Sequence, residues 1–135
     1  MKNVEGNKFF ENARKKAGKL LTNNERMKQL FNVSKEKLSE IDVSAVTTSK
    51  LANRLRTLIR MVKAYRKGEY RDIQVQNIIL IVAAIVYFVT PLDLVPDFIP
   101  ITGLIDDFTV VLWVYNKLQE EIDRFLEWEN SLQEG

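Results

Sequence analysis

The stretch that decides the fold is residues 78–89, IILIVAAIVYFV, in which the Tyr87 hydroxyl is the one polar side-chain group. A helix that is apolar on every side has to be enclosed by other protein or by lipid. These twelve residues would extend only about 18 Å as a helix, whereas the hydrocarbon layer of a bilayer is about 30 Å thick. The apolar run by itself is therefore too short to cross a membrane.

A transmembrane helix would have to include polar residues on both sides of this run. Extension to about twenty residues adds Gln76, Asn77, Thr90, Pro91 and Asp93, so these groups would have to lie at the membrane interfaces. A core helix buried in protein and a re-entrant segment explain the run equally well. A transmembrane helix, a core helix and a re-entrant segment therefore stay open as alternatives.

A second helix with an apolar first half is predicted after this run. Apolar side chains recur there with alternating spacings of four and three residues, which predicts one long helix over residues 104–131: Leu104, Phe108, Val111, Tyr115, Leu118, Ile122 and Phe125. The second half of this helix is acidic. Together with the run at 78–89, its first half predicts an apolar helical hairpin over residues 78–115.

The N-terminal half contains the remaining predicted helices. A short basic amphipathic helix ends near residues 22–24, and a second helix follows that could break at residues 32–34. A third covers residues 47–67 and ends at Gly68. The chain is thus predicted to be all-α, with four to five helices around the hairpin, a basic N-terminal segment at 1–46 and a helical core at 47–135.

The charge of the chain is divided between its halves. Residues 1–71 hold 18 Lys and Arg against 7 Asp and Glu, whereas residues 72–135 hold 2 against 11. This asymmetry indicates either a basic arm for a phosphate-rich partner or two halves that fold onto each other. One face of the third helix carries the basic residues that would meet membrane lipid or a partner: Arg56, Arg60, Lys63 and Lys67.

The residue types argue against an enzyme and against a cofactor. Cysteine and histidine are both absent, so thiolate nucleophiles, zinc sites of the usual type and the commonest acid/base side chain are missing. Asp106 and Asp107 are adjacent, and adjacent residues of a helix point about 100° apart, so they would not face one substrate atom. We expect no catalytic residue, no resident metal and no cofactor.

The connection between the two apolar helices, residues 90–107, has an unusual composition for a loop. Three prolines prevent the helix from continuing, while the remaining residues are too apolar for an ordinary solvent-exposed loop. Its four aspartates would cap the helices and turns that begin there. The alternative is that some of them converge on a hard cation such as Mg²⁺ or Ca²⁺, or on a basic group of a partner.

The stretch YFVTPLDLVPDFIPITGLIDD resembles the signature of the YkvA-like family, small bacterial proteins that share a domain of unknown function. The resemblance covers about residues 75–115 and implies no activity. The family is usually described as membrane-associated. By position, the resemblance marks the following signature residues in this chain: Pro91, Asp93, Pro96, Asp97, Pro100, Gly103, Asp106 and Asp107.

These observations favour a membrane-associated helical protein that acts as a non-catalytic adaptor or scaffold at the cytoplasmic membrane face. Its partner would be membrane lipid or a membrane protein, and a homo-oligomer stays open. The 18 basic residues before the apolar run predict a cytoplasmic N-terminal half. The alternative is a soluble helical-bundle interaction protein with the hairpin as its core. Nucleic-acid binding is disfavoured because no recognised motif accompanies the basic residues.

Overall fold

The computed structural model describes residues 8–40, 46–89 and 107–134. These residues contain helices and no strand, which confirms the predicted all-α class. The helices are α1 (Lys8–Leu20), α2 (Asn24–Glu40), α3 (Val46–Arg66), α4 (Val75–Val89), α5 (Asp107–Lys117) and α6 (Gln119–Glu134).

Helix α4 is the centre of the bundle. Every side chain from Leu80 to Phe88 is buried, and the helix packs against α1, α2, α3 and α5. Each large apolar side chain that is fully buried contributes about 1.5–3 kcal/mol, so this helix supplies a large share of the core. Of the alternatives for the apolar run, the described residues show the core helix. The two arms of the predicted hairpin, α4 and α5, pack against each other.

The transmembrane alternative for the apolar run is not supported by the described residues. No helix among them combines the length and the apolar character that crossing a membrane requires. Helix α4 has 15 residues, which correspond to about 22 Å.

Helix α1 contacts α4 more extensively than any other helix does. Its inward face carries Ala13 and Ala17, one helical turn apart and both fully buried, with Phe10 one turn earlier. Small side chains let two helix backbones approach closely, so the alanines bring α1 against α4. The Phe10 ring reaches α5, where it meets the Trp113 ring edge-on at 5.8 Å between centroids.

Helix α2 runs without interruption through the segment where a break was considered. Ser34 lies inside the bundle, and its hydroxyl donates a 2.7 Å hydrogen bond to the backbone carbonyl of Leu30. This bond to the carbonyl four residues earlier satisfies the buried hydroxyl within the helix itself, so Ser34 is accommodated without a break. The considered break at residues 32–34 is therefore wrong.

Helix α3 ends as predicted at Gly68. This glycine has a φ of +79°, a left-handed conformation that glycine adopts without a Cβ clash. Its backbone N–H donates to the carbonyl of Tyr65 at 3.1 Å, and the N–H of Glu69 donates to that of Ala64 at 3.0 Å. These bonds satisfy carbonyls at the end of the helix.

The predicted single helix over residues 104–131 is two helices in the structure. Leu118 lies in a turn between α5 and α6, although its N–H still donates to Val114 at 3.0 Å and its carbonyl accepts from Ile122 at 2.9 Å. The apolar spacing carries no sign of this interruption, because Leu118 itself is buried and continues the seam. Residues 104–106 lie outside the described part of the chain.

An aromatic cluster packs the segment between α3 and α4 against α6. The Tyr70 ring lies 5.3 Å from that of Phe125 and 5.2 Å from that of Trp128. Burial raises the pKa of Tyr70, and the nearby Asp72 carboxylate raises it further, while Arg124 opposes the rise. Arg124 also forms an ion pair with Asp72 at 3.3 Å.

Truncation of a buried side chain in the central helix should be strongly destabilising. We expect Ile85→Ala to lower the free energy of unfolding by about 2–5 kcal/mol, because Ile85 is fully buried and its loss leaves a cavity. Val75→Ala, in the exposed first turn of the same helix, should change it by less than about 0.5 kcal/mol. Urea unfolding followed by circular dichroism measures both. Equal effects would contradict the enclosure of α4.

Candidate functional site

The signature residues are placed only in part. Pro91, Asp93, Pro96, Asp97, Pro100, Gly103 and Asp106 lie outside the described residues, and Asp107 is described only as the backbone at the start of α5. The choice between helix caps and a cation site therefore stays a prediction. In the part of the chain that the structure does describe, no three carboxylates come together in a way that could hold a metal ion.

The predicted basic face of α3 is partly used inside the bundle. The Arg60 guanidinium donates two hydrogen bonds to the Glu129 carboxylate of α6, from Nε at 2.8 Å and from Nη2 at 3.0 Å. Arg56 Nη1 donates to Asn53 Oδ1 at 3.2 Å, and the Lys63 ammonium lies 5.1 Å from the centre of the Phe31 ring. Lys67 is exposed at the end of the helix.

One of these contacts is an ion pair that joins the basic half of the chain to the acidic half. The Arg60–Glu129 pair has two-pronged geometry, but its side chains are about half and a quarter exposed. Exposed pairs of this kind contribute about 0–1 kcal/mol. The two halves thus meet across α3 and α6, but within the described ranges this pair compensates only one of the many N-terminal positive charges.

The structure also contains a cleft that the sequence did not reveal, which we call the basic-rimmed cleft. It lies between α1, α2 and the C-terminal end of α4, and has a volume of about 610 Å³. Its rim is polar and mainly basic, with Lys16, Lys19, Asn23, Arg26 and Gln29. Its floor is apolar, with Leu20, Leu30, Val33, Val86 and Val89.

The turn between α1 and α2 sets the geometry of this rim. Asn23 caps α2, because its side-chain oxygen accepts a 3.0 Å hydrogen bond from the backbone N–H of Arg26. The Thr22 hydroxyl donates to the carbonyl of Lys19 at 3.1 Å at the end of α1. The two bonds close a short turn that places Lys19 and Arg26 on adjoining helices beside one opening.

The N-terminal helices present an excess of positive charge at their outer surface. Residues 8–40 contain nine Lys and Arg and four Asp and Glu. We use the name α1–α2 basic face for five exposed residues that pair with no acidic side chain among the described residues: Lys15, Lys16, Lys19, Arg26 and Lys28. Three of these five belong to the rim of the cleft.

Lys37 closes the end of α4 beside the cleft. Its ammonium donates a hydrogen bond to the carbonyl of Phe88 and lies 4.6 Å from the centre of the Phe88 ring. The last carbonyls of a helix lack partners within it and carry partial negative charge, so a lysine there is stabilising. Lys37 therefore caps the C-terminal end of the central helix.

Removal of this cap should destabilise the bundle. We expect Lys37→Met to lower the free energy of unfolding by about 1–2 kcal/mol, since methionine keeps the length of the side chain but cannot donate to the helix end. Lys35→Met, an exposed position on the same helix, is the matched control and should change it by less than about 0.5 kcal/mol. Chemical unfolding at low and high salt tests this, and no difference between the variants would disprove the capping role.

The cleft could not be predicted from the sequence, because residues far apart in the chain form it. Residues 16–33 supply most of it, and Val86 and Val89 of α4 complete the floor. The partial signal was the basic, amphipathic character of the first helix, which suggested that it could lie on a surface. Nothing in the sequence indicated that Lys16, Lys19 and Arg26 would surround an apolar floor.

Comparison with known proteins points to one family. The family model described as "Protein of unknown function (DUF1232)" matches residues 77–113, from the first turns of α4 into α5. The "Uncharacterized membrane protein YkvA" of Bacillus subtilis (strain 168) is 34% identical over 79 residues, which are 58% of this chain and 74% of that protein. No solved structure gives a significant match.

Proposed function

Because the chain belongs to the YkvA-like family, we propose that it is a non-catalytic helical protein held at the cytoplasmic surface of an anionic membrane, where it serves as an adaptor or scaffold. The B. subtilis relative is named a membrane protein. The observation that carries the proposal is the α1–α2 basic face: Lys15, Lys16, Lys19, Arg26 and Lys28, all exposed and without an acidic partner among the described residues.

The strength of such an attachment follows from the number of charges. A Lys or Arg near an anionic bilayer surface contributes about 1 kcal/mol at physiological ionic strength. The five residues of this face would together contribute about 5 kcal/mol, enough for weak, reversible binding. Anionic lipids are concentrated in the cytoplasmic leaflet, so the proposed orientation puts the N-terminal half on the cytoplasmic side.

Attachment through the outer helices agrees with the position of α4. The apolar side chains of this helix are enclosed by α1, α2, α3 and α5, so contact with lipid is not needed to shield them. Membrane binding through α1 and α2 leaves the bundle intact. The apolar hairpin is then the core on which the helices of the basic face are positioned.

An adaptor needs a second surface for its partner, and α2 and α3 supply one. A groove between them is lined by basic Lys35, Arg56 and Lys63 and by apolar Phe31, Leu38 and Ile59, among others. Basic and apolar groups in one groove suit an acidic amphipathic segment of a membrane protein. In this arrangement the α1–α2 basic face binds lipid and the α2–α3 groove binds the partner.

The membrane proposal is tested by flotation of the full chain with vesicles of phosphatidylcholine containing 30% phosphatidylglycerol. Replacement of Lys15, Lys16, Lys19 and Arg26 by Gln should weaken binding by on the order of a hundred- to a thousandfold, since about 4 kcal/mol is lost. A matched control replaces Lys50, Arg56, Lys63 and Lys67 by Gln. It removes the same charge from α3 and should bind within a few-fold of wild type.

The salt dependence of the same assay separates attachment from insertion. Binding to anionic vesicles should fall steeply between 0.1 and 1 M NaCl and be absent on pure phosphatidylcholine. Protein that stays bound at 1 M NaCl and is released only by detergent would contradict attachment by charge. Equal losses in the two quadruple variants would contradict the assignment to α1 and α2.

The second candidate is an interaction protein of the same fold that binds no membrane. It is favoured by the Arg60–Glu129 pair, which uses part of the basic α3 face within the bundle, and by the burial of α4. Failure of the wild-type chain to float with anionic vesicles at 0.1 M NaCl would select this candidate.

A further inference from the structure

We propose that the basic-rimmed cleft binds one anionic phospholipid molecule, with the phosphate at the rim and the beginning of an acyl chain on the floor. This inference rests on the proposed membrane attachment and deepens it. Attachment by charge alone would treat all five basic residues of the α1–α2 face alike. The cleft distinguishes three of them, because Lys16, Lys19 and Arg26 surround a concave apolar surface.

The rim has the chemistry that a phosphate diester requires. Lys16 and Lys19 supply ammonium groups, and Arg26 supplies a planar guanidinium that can donate two parallel hydrogen bonds to phosphate oxygens. Gln29 adds an amide donor. The side-chain oxygen of Asn23 is already occupied by the N–H of Arg26, which leaves its NH₂ group as a further donor at the rim.

The apolar floor favours a lipid over a small hydrophilic anion as the occupant of the cleft. Its side chains are aliphatic; Leu30 and Val86 are already buried, and the accessible part is chiefly Val33, which is 46% exposed, with Leu20 and Val89 half-buried. A free phosphate would leave this surface in contact with water. An acyl chain would cover it, and burial of its CH₂ groups would strengthen the binding. The basic rim and the apolar floor together therefore favour an amphiphile with a negatively charged head group.

The size and place of the cleft agree with such an occupant. Its volume of about 610 Å³ falls within the 300–1,000 Å³ typical of small-molecule sites. It opens on the same surface as the proposed membrane contact, since the rim residues belong to the α1–α2 basic face. A lipid could keep its remaining acyl chain in the bilayer while its head is held at the rim.

The test uses the full chain and water-soluble lipids below their micelle concentration, with binding followed by ¹⁵N NMR and calorimetry. Dihexanoyl phosphatidylglycerol should bind one-to-one and perturb the amides of residues 16–33. Dihexanoyl phosphatidylcholine keeps the chains but has no net charge, and glycerol phosphate keeps the charge but has no chains. Each should bind at least tenfold more weakly, because each satisfies only the floor or only the rim.

Two double variants then locate the site. Lys19→Gln with Arg26→Gln removes two charges from the rim and should weaken dihexanoyl phosphatidylglycerol binding at least tenfold. Lys15→Gln with Lys28→Gln removes two charges from the same basic face outside the cleft and should change it less than twofold. Thermal unfolding of both variants verifies that they fold like the wild type.

The outcomes separate this inference from the membrane proposal. Equal weakening by both double variants, with binding to anionic vesicles retained by the wild type, would overturn the lipid site and leave attachment by charge intact. Glycerol phosphate binding as tightly as the lipid would assign the cleft to a soluble phosphate compound instead. Absence of any soluble-lipid binding would also overturn the inference.

Discussion

The structure depends on the fact that α4 has no polar face from Ile78 onward. A helix with buried side chains on every side needs neighbours on every side, and α1, α2, α3 and α5 meet this need. The requirement explains the inward alanines of α1, the uninterrupted course of α2 and the lysine that caps the end of α4. It also means that the surrounding helices pack their apolar sides against α4, so their charged sides face outward.

That arrangement determines what the surface can do. The acidic helix α6 binds one arginine of α3, but α1 and α2 lie against α4, which carries no charged residue. Among the described residues, their positive charge is consequently left at the surface without acidic partners. A protein with an apolar core and such a basic face is suited to bind an anionic surface reversibly, and its sequence offers neither Cys nor His for catalysis.

Local signals in the sequence predicted much of the fold. The glycine that ends α3 and the polar turn between α1 and α2 act within a few residues, so their effects could be predicted from the adjacent sequence. The apolar run predicted a buried helix but could not identify what encloses it, since protein and lipid are equally good solvents for such a helix. The interruption at Leu118 had no signal, because this residue continues the apolar spacing.

The candidate site was far less predictable. The four basic residues of α3 were recognised as a face, but their contacts depend on α2 and α6, which are distant in sequence. The basic-rimmed cleft depends on α1 and α2 turning back on each other over the end of α4. The signature aspartates, which carry the family resemblance, lie outside the described residues, and their role as caps or cation ligands remains a prediction.

The central claim is that protein, not lipid, encloses α4 while the chain is bound to a membrane. Photolabelling of the full chain on phosphatidylglycerol vesicles, with a carbene precursor dissolved in the hydrocarbon layer and peptide mapping by mass spectrometry, tests it most directly. The account predicts label on the α1–α2 segment around Val33, which is exposed, and none on residues 80–85, which are buried away from the cleft. Label on residues 80–85 would contradict it and would show that the central helix enters the bilayer.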